Sequence, residues 1–159
     1  MIKGFKIGFG FGLASAVITT LGLMVGLTAG TGSRLAVIGG ILMIAIADSF
    51  ADALGVHIAK ESEGNFSHQE VWQATFFTFF FKMIFAASFL IPVIFLPIYT
   101  AVFVSLIWGA IILIFQSYKL AKDNNSKMVP VIAEHLFIAV VVVILTFYAG
   151  NLIAKMGLN

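Results

Sequence analysis

From Ile7 to Ala29 the chain runs for 23 residues without one ionisable side chain. An α-helix rises about 1.5 Å per residue, so a run of this length crosses the roughly 30 Å hydrocarbon core of a bilayer. The pattern then repeats. A second apolar run, Leu35 to Ala59, is interrupted only by Asp48, Asp52 and His57. A third, rich in phenylalanine, goes from Val71 to Ile91 with Lys82 as its one charge. Pro92 and Pro97 are expected to bracket a tight turn, because proline interrupts the helical hydrogen-bond ladder. A fourth run covers Ile98 to Tyr118, and Pro130 suits the first turn of a last helix reaching Ala154. The expected architecture is an all-α integral membrane protein. It has one transmembrane domain over residues 1–159, with five spanning helices at about 7–29, 35–59, 71–91, 98–118 and 130–154.

Composition closes off the alternatives. Only 10% of the 159 residues are charged and 61% are apolar, with a mean hydropathy of +1.11. A soluble domain carries about a quarter charged residues, so an ordinary soluble enzyme is excluded, as is a disordered chain. Nine basic residues scattered along apolar runs make no stripe for phosphates, which argues against a nucleic-acid partner. The absence of cysteine removes disulfides and thiolate chemistry. The partner implied is the lipid bilayer, and nothing in the composition calls for a cofactor. Lys3 and Lys6 precede the first run and Ala14-Ser15-Ala16 has the form of a cleavage site, but the apolar stretch continues well past it. The run is therefore expected to be a retained span rather than a signal peptide.

Basic residues set the expected orientation. Lys3, Lys6, Lys60, Lys119, Lys122 and Lys127 fall on one side, against Arg34 and Lys155 on the other. The amino terminus is expected in the cytoplasm and the carboxyl terminus opposite, in the cell membrane of a prokaryote or an organellar membrane otherwise. Along the first helix Gly4, Gly8 and Gly12 recur every four residues, as do Gly22, Gly26 and Gly30. Glycine at this spacing lets helix backbones approach closely in lipid, within one protomer or between two.

Charges at membrane depth each cost about 2.5–3.5 kcal/mol on insertion scales, so they face a partner or a water-filled path. Asp48 and Asp52, four apart, share a helix face. Two carboxylates so close require a proton on one of them or a cation between them. Such a pair suits a hard divalent cation, or exchange of cations against protons. Lys82 lies at similar depth, and its reading stays open: a static salt bridge to the aspartates, or a group that yields when a cation arrives. Ser15 and Thr19 share a face of helix 1 and could complete a site. Glu61, Glu63, His68 and Glu70 could gather cations at its mouth, or simply form a solvated connection. His57 is turned about 140° from the aspartate face and is expected to pair with Glu61. Glu134 and His135 fit an interfacial role at the start of the last helix.

Two blocks look familiar. Ser15-Ala16-Val17-Ile18-Thr19-Thr20-Leu21-Gly22 is followed by Ala47-Asp48-Ser49-Phe50-Ala51-Asp52-Ala53-Leu54-Gly55 and Ala59-Lys60-Glu61-Ser62-Glu63. Over roughly residues 10–63 the chain resembles the vacuolar iron transporter family. There, an Asp-Gly-Ile-Val-Thr-Thr type motif is followed by an Ala-Asp-Gly-Ile-Ser-Met-Ala-Leu-Gly type motif and Lys-Ser-Glu. The resemblance implies a homodimeric, proton-coupled exporter of ferrous iron and related divalent metals such as manganese, with its path between helices 1 and 2. Asp48 matches the family's helix 2 aspartate. Ser15 stands where the family has an aspartate, and Asp52 where it has a metal-binding methionine. The family's cytoplasmic metal-binding domain is reduced here to the loop after helix 2. The ligand set so implied is Asp48, Asp52, Thr19 and Ser15, with Glu61, Glu63 and Glu70 at the mouth. Gly8, Gly12, Gly22 and Gly26 serve helix packing or the dimer. Two other readings remain at this level. One is a non-transporting scaffold or subunit holding a structural Asp–Lys pair. The other, a membrane-embedded phosphotransferase, needs an arginine beside its aspartates. The sole arginine, Arg34, lies in the far-side loop, so enzyme activity is not expected.

Overall fold

The computed structural model describes residues 3–157. Five helices are long and apolar enough to cross a membrane: α1 (Lys3–Thr31), α2 (Arg34–Ser62), α3 (His68–Phe95), α4 (Ile98–Asp123) and α5 (Met128–Lys155). No strand occurs among the described residues.

Each expected span is present, and most run further than hydropathy marks. The reason is chemical: Lys, Glu and Ser at the span ends are no barrier to a helix, and lysine stems reach back to water from inside the interface. The connections are correspondingly short. Gly32 and Gly64, at φ +61° and +65°, reverse the chain after α1 and α2, where a side chain would be strained. Ser33 caps α2 by accepting from the Ala36 N–H. Ser67 and Glu70 form a reciprocal capping box at the start of α3.

Two local features differ from expectation. Pro92 does not begin a turn. The helix breaks at Phe89 and resumes over Leu90–Phe95, so that only Leu96 and Pro97 turn the chain. Proline displaces the carbonyl four residues before it, that of Ser88, and the break falls at the next residue. The second is a π-helical turn at Ile44–Asp48 within α2. The buried residues Val37, Ile41, Ala45, Ser49 and Ala53 recur every four positions. In a uniform α-helix each such step drifts about 40° around the axis. One wide turn takes back roughly one residue's rotation, about 100°, and so keeps both halves of α2 facing inward.

Helix α1 is the centre of the bundle, in contact with all four others. Its glycines explain how. A Cβ on Gly4, Gly8 or Gly12 would lie 2.6, 2.5 and 2.7 Å from Gln73 Cβ, Phe77 Cβ and the Thr78 carbonyl of α3. A Cβ on Gly22 would lie 2.8 Å from Val142 of α5, and Gly26 and Gly30 abut Thr146 and Gly150. Both stripes are thus consumed within one chain. Phe5 and Phe9 add edge-on ring contacts to Phe77 and Phe81 at 5.0–5.5 Å, fastening α1 to α3. Large apolar side chains such as Phe50, Leu54, Phe103, Phe137 and Leu145 point outward, as lipid requires.

Candidate functional site

The Gly4–Gly8–Gly12 contact continues directly into a polar centre. Gly12 packs against the backbone of Thr78 and Lys82, a Cβ there lying 3.2 Å from the Lys82 nitrogen. One turn further on, Ser15 meets the Lys82 side chain. Asp48 stands fourteen residues from either end of α2, and Lys82 equally deep in α3. The three helices therefore bring their polar residues together at mid-membrane depth.

Lys82 has no exposed surface. Its Nζ lies 2.5 Å from Asp48 Oδ2, is also bonded to Asp52 Oδ2, and donates to Ser15 Oγ at 3.0 Å. Ser15 Oγ in turn donates to Asp52 Oδ2 at 2.5 Å. With all three charged groups ionised the centre carries one net negative charge. The carboxylates are less enclosed than the ammonium, with side-chain exposures of 37% for Asp48 and 23% for Asp52. Asp48 opens onto a broad groove of about 670 Å³ between α1, α2 and α5, bordered by Thr19, Gly22, Ala47, Val142 and Thr146. The π turn ends at Asp48, and the Ser49 hydroxyl satisfies the Ile44 carbonyl at 3.3 Å. A single carboxylate is thereby left facing the groove while Asp52 faces Ser15.

The other expected residues divide clearly. Thr19 borders the groove, but its hydroxyl proton goes to the Ser15 carbonyl at 2.8 Å. Glu61, Glu63 and Glu70 are not gathered with the aspartates. Glu61 lies 3.9 Å from His57, Glu63 holds Lys60 at 2.5 Å, and Glu70 is occupied in the capping box. His68 accepts from the Trp72 indole at 3.2 Å. His57 also bonds Thr75 at 2.9 Å, a partner not evident from sequence. Among the described residues, no three histidine, cysteine or acidic side chains converge on one point. The oxygen donors that do converge are Asp48, Asp52 and Ser15, with Lys82 among them. Arg34 donates to the Leu96 carbonyl at 2.7 Å, at the opposite end of the bundle from the polar loops. His135 pairs with Ser117 at 2.7 Å, linking α5 to α4.

The chain matches no known family model, no curated protein and no solved structure.

Proposed function

We propose that this chain is a membrane transporter for a divalent metal cation, with Asp48 and Asp52 as ligands and Lys82 holding the cation's place in the empty site. The observation that carries the reading is the placement of the Lys82 ammonium: bonded to both carboxylates from behind, while Asp48 remains open to the groove. A polar centre at this depth is cheapest when neutral. Two neutral states are available. With Lys82 charged and one carboxyl protonated, the site is neutral and empty. With both carboxylates ionised, a neutral Lys82 amine and a divalent cation bound, it is neutral and loaded. Passing from the first to the second releases two protons for each cation taken up, which couples transport to the proton gradient.

The cargo is a hard or borderline ion, because Asp48, Asp52, Ser15 and water offer oxygen alone. Manganese and ferrous iron fit this set. The resemblance over residues 10–63 to the vacuolar iron transporter family supports the same cargo class, export from the cytoplasm, and a homodimer whose second copy stands against the open groove. An aspartate at position 52 shifts preference toward manganese relative to a methionine there.

Purified protein in proteoliposomes, with manganese or ferrous iron outside and a pH dye inside, tests the reading. Losing even an outer-shell partner costs about 10–100-fold in metal affinity, so Asp48→Asn and Asp52→Asn should each cut flux at least about tenfold. Undiminished flux in both variants excludes this site. The complete burial of Lys82 favours one competing reading, a static ion pair in a scaffold protein. A folded wild-type protein carrying neither cation would select it.

A further inference from the structure

A second cavity, of about 480 Å³, opens between α1, α4 and α5 at the end of the bundle where the lysines cluster. Its walls are mostly apolar, formed by Ile7, Phe11, Ala14 and Leu120 among others, with Gln116, Asn124 and His135 also lining it. Lys6, Lys119 and Asp123 stand around it. Lys6 and Asp123 are the end residues of their helices' polar turns and pair at 3.0 Å, which puts the mouth at headgroup level. Ala14 lies eight residues deeper along α1, or about 12 Å into the hydrocarbon. The cavity is therefore a slot leading from the interface into the apolar layer.

Its charges are unevenly spent. Lys6 is neutralised by Asp123, but Lys119 has no acidic partner among the described residues. Its ammonium rests over the Phe9 ring, 4.5 Å from the centroid. A cation steadied by an aromatic face keeps its hydrogen-bond donors available. An apolar slot long enough for part of an acyl chain, with a fixed cation at its mouth, matches an amphiphile carrying one negative charge. The side of the bundle agrees, since basic pockets between helices at this interface attract anionic headgroups.

We infer that this cavity binds an anionic glycerophospholipid, its phosphate diester on Lys119 and an acyl chain along Ile7, Phe11 and Ala14. The inference is independent of the transport reading, because it uses neither the aspartates nor Lys82.

The test is lipid retention by the purified, delipidated full chain, read by native mass spectrometry. The probes are phosphatidylglycerol, phosphatidylcholine and glycerol 3-phosphate. Phosphatidylglycerol should be retained at least about fivefold better than phosphatidylcholine, the difference one interfacial lysine makes. Lys119→Gln should abolish that preference and Lys119→Arg keep it. Lys127→Gln, an equal loss of charge in the loop, should leave it unchanged. Ala14→Trp, which fills the deep end, should weaken both lipids. Equal retention of the two lipids, or none of either, overturns the inference. So does an equal effect of Lys119→Gln and Lys127→Gln. Glycerol 3-phosphate binding as tightly as the lipid would reduce the site to one for a free anion and overturn it as well.

Discussion

A lysine ammonium has three protons to donate, and Lys82 has three oxygens around it, one each from Asp48, Asp52 and Ser15. Nothing is left over, which is why a charge with no exposed surface is tolerated here. Removing one partner of such a group is far worse than removing all of it. Lys82→Met should destabilise the protein by about 3–5 kcal/mol, because two carboxylates lose their counter-charge at membrane depth. The triple variant Asp48→Asn, Asp52→Asn, Lys82→Met should recover most of that loss. Denaturant or thermal unfolding in detergent checks both, and a triple variant no better than the single one would contradict the account. At this scale the sequence was informative because charges in apolar runs are rare. Depth along the helix singled out Asp48, Asp52 and Lys82. It could not show that Ser15 bridges Lys82 and Asp52, since that depends on how closely α1 approaches α3. The i,i+4 spacing did pair His57 with Glu61, but nothing showed that Glu63 and Glu70 find local partners, since free and paired glutamates read alike.

Helix contacts depend on what is missing as much as on what is present. A Cβ at Gly8 would overlap the backbone and Cβ of Phe77, with no flexible side-chain end to give way. Gly8→Ala should therefore lower stability by about 1–3 kcal/mol, the usual cost of overpacking. It should also loosen the contact that presents Ser15 to Lys82. Gly55→Ala, in the middle of α2 with nothing within 4 Å, should be neutral or slightly stabilising. Parallel melting curves of the two variants settle the matter, and similar losses would show that the glycine stripe is not the contact. The stripes themselves are legible as a four-residue repeat. Their partners are not, because the same repeat serves contacts within a chain and between chains. Helix ends were read short for a related reason: hydropathy marks where lipid stops, whereas the helix continues until a residue such as Gly64 reverses it. Pro92 shows the converse, a breaker that interrupts the helix only at Phe89 and lets it resume to Phe95.

At the scale of the whole molecule, five spans are expected to put the two ends of the bundle on opposite faces, with the lysine-rich end in the cytoplasm. The chain contains no cysteine, so single introduced thiols report sidedness without background. Ser126→Cys, in the connection before α5, should react with an impermeant maleimide only from the cytoplasmic side. Thr31→Cys, at the end of α1, should react only from the other. The reverse pattern would invert the expected orientation and with it the proposed direction of transport. Five spans were legible because each is a long apolar run broken by at most three ionisable residues. The cavity beside Lys119 was not, because its walls come from three helices far apart in sequence. The wide turn of α2 also bears on how this chain is compared with others. The turn separates the inward-facing Val37 and Ile41 from the inward-facing Ser49 and Ala53 of the same helix. Across that turn the residue count runs one ahead of the helical phase. A relative with a plain α-helix there has to be aligned with a one-residue gap between Ile41 and Asp48. Without the gap, matching Asp48 turns the inward-facing positions of α2 before the turn about 100° away from their true direction.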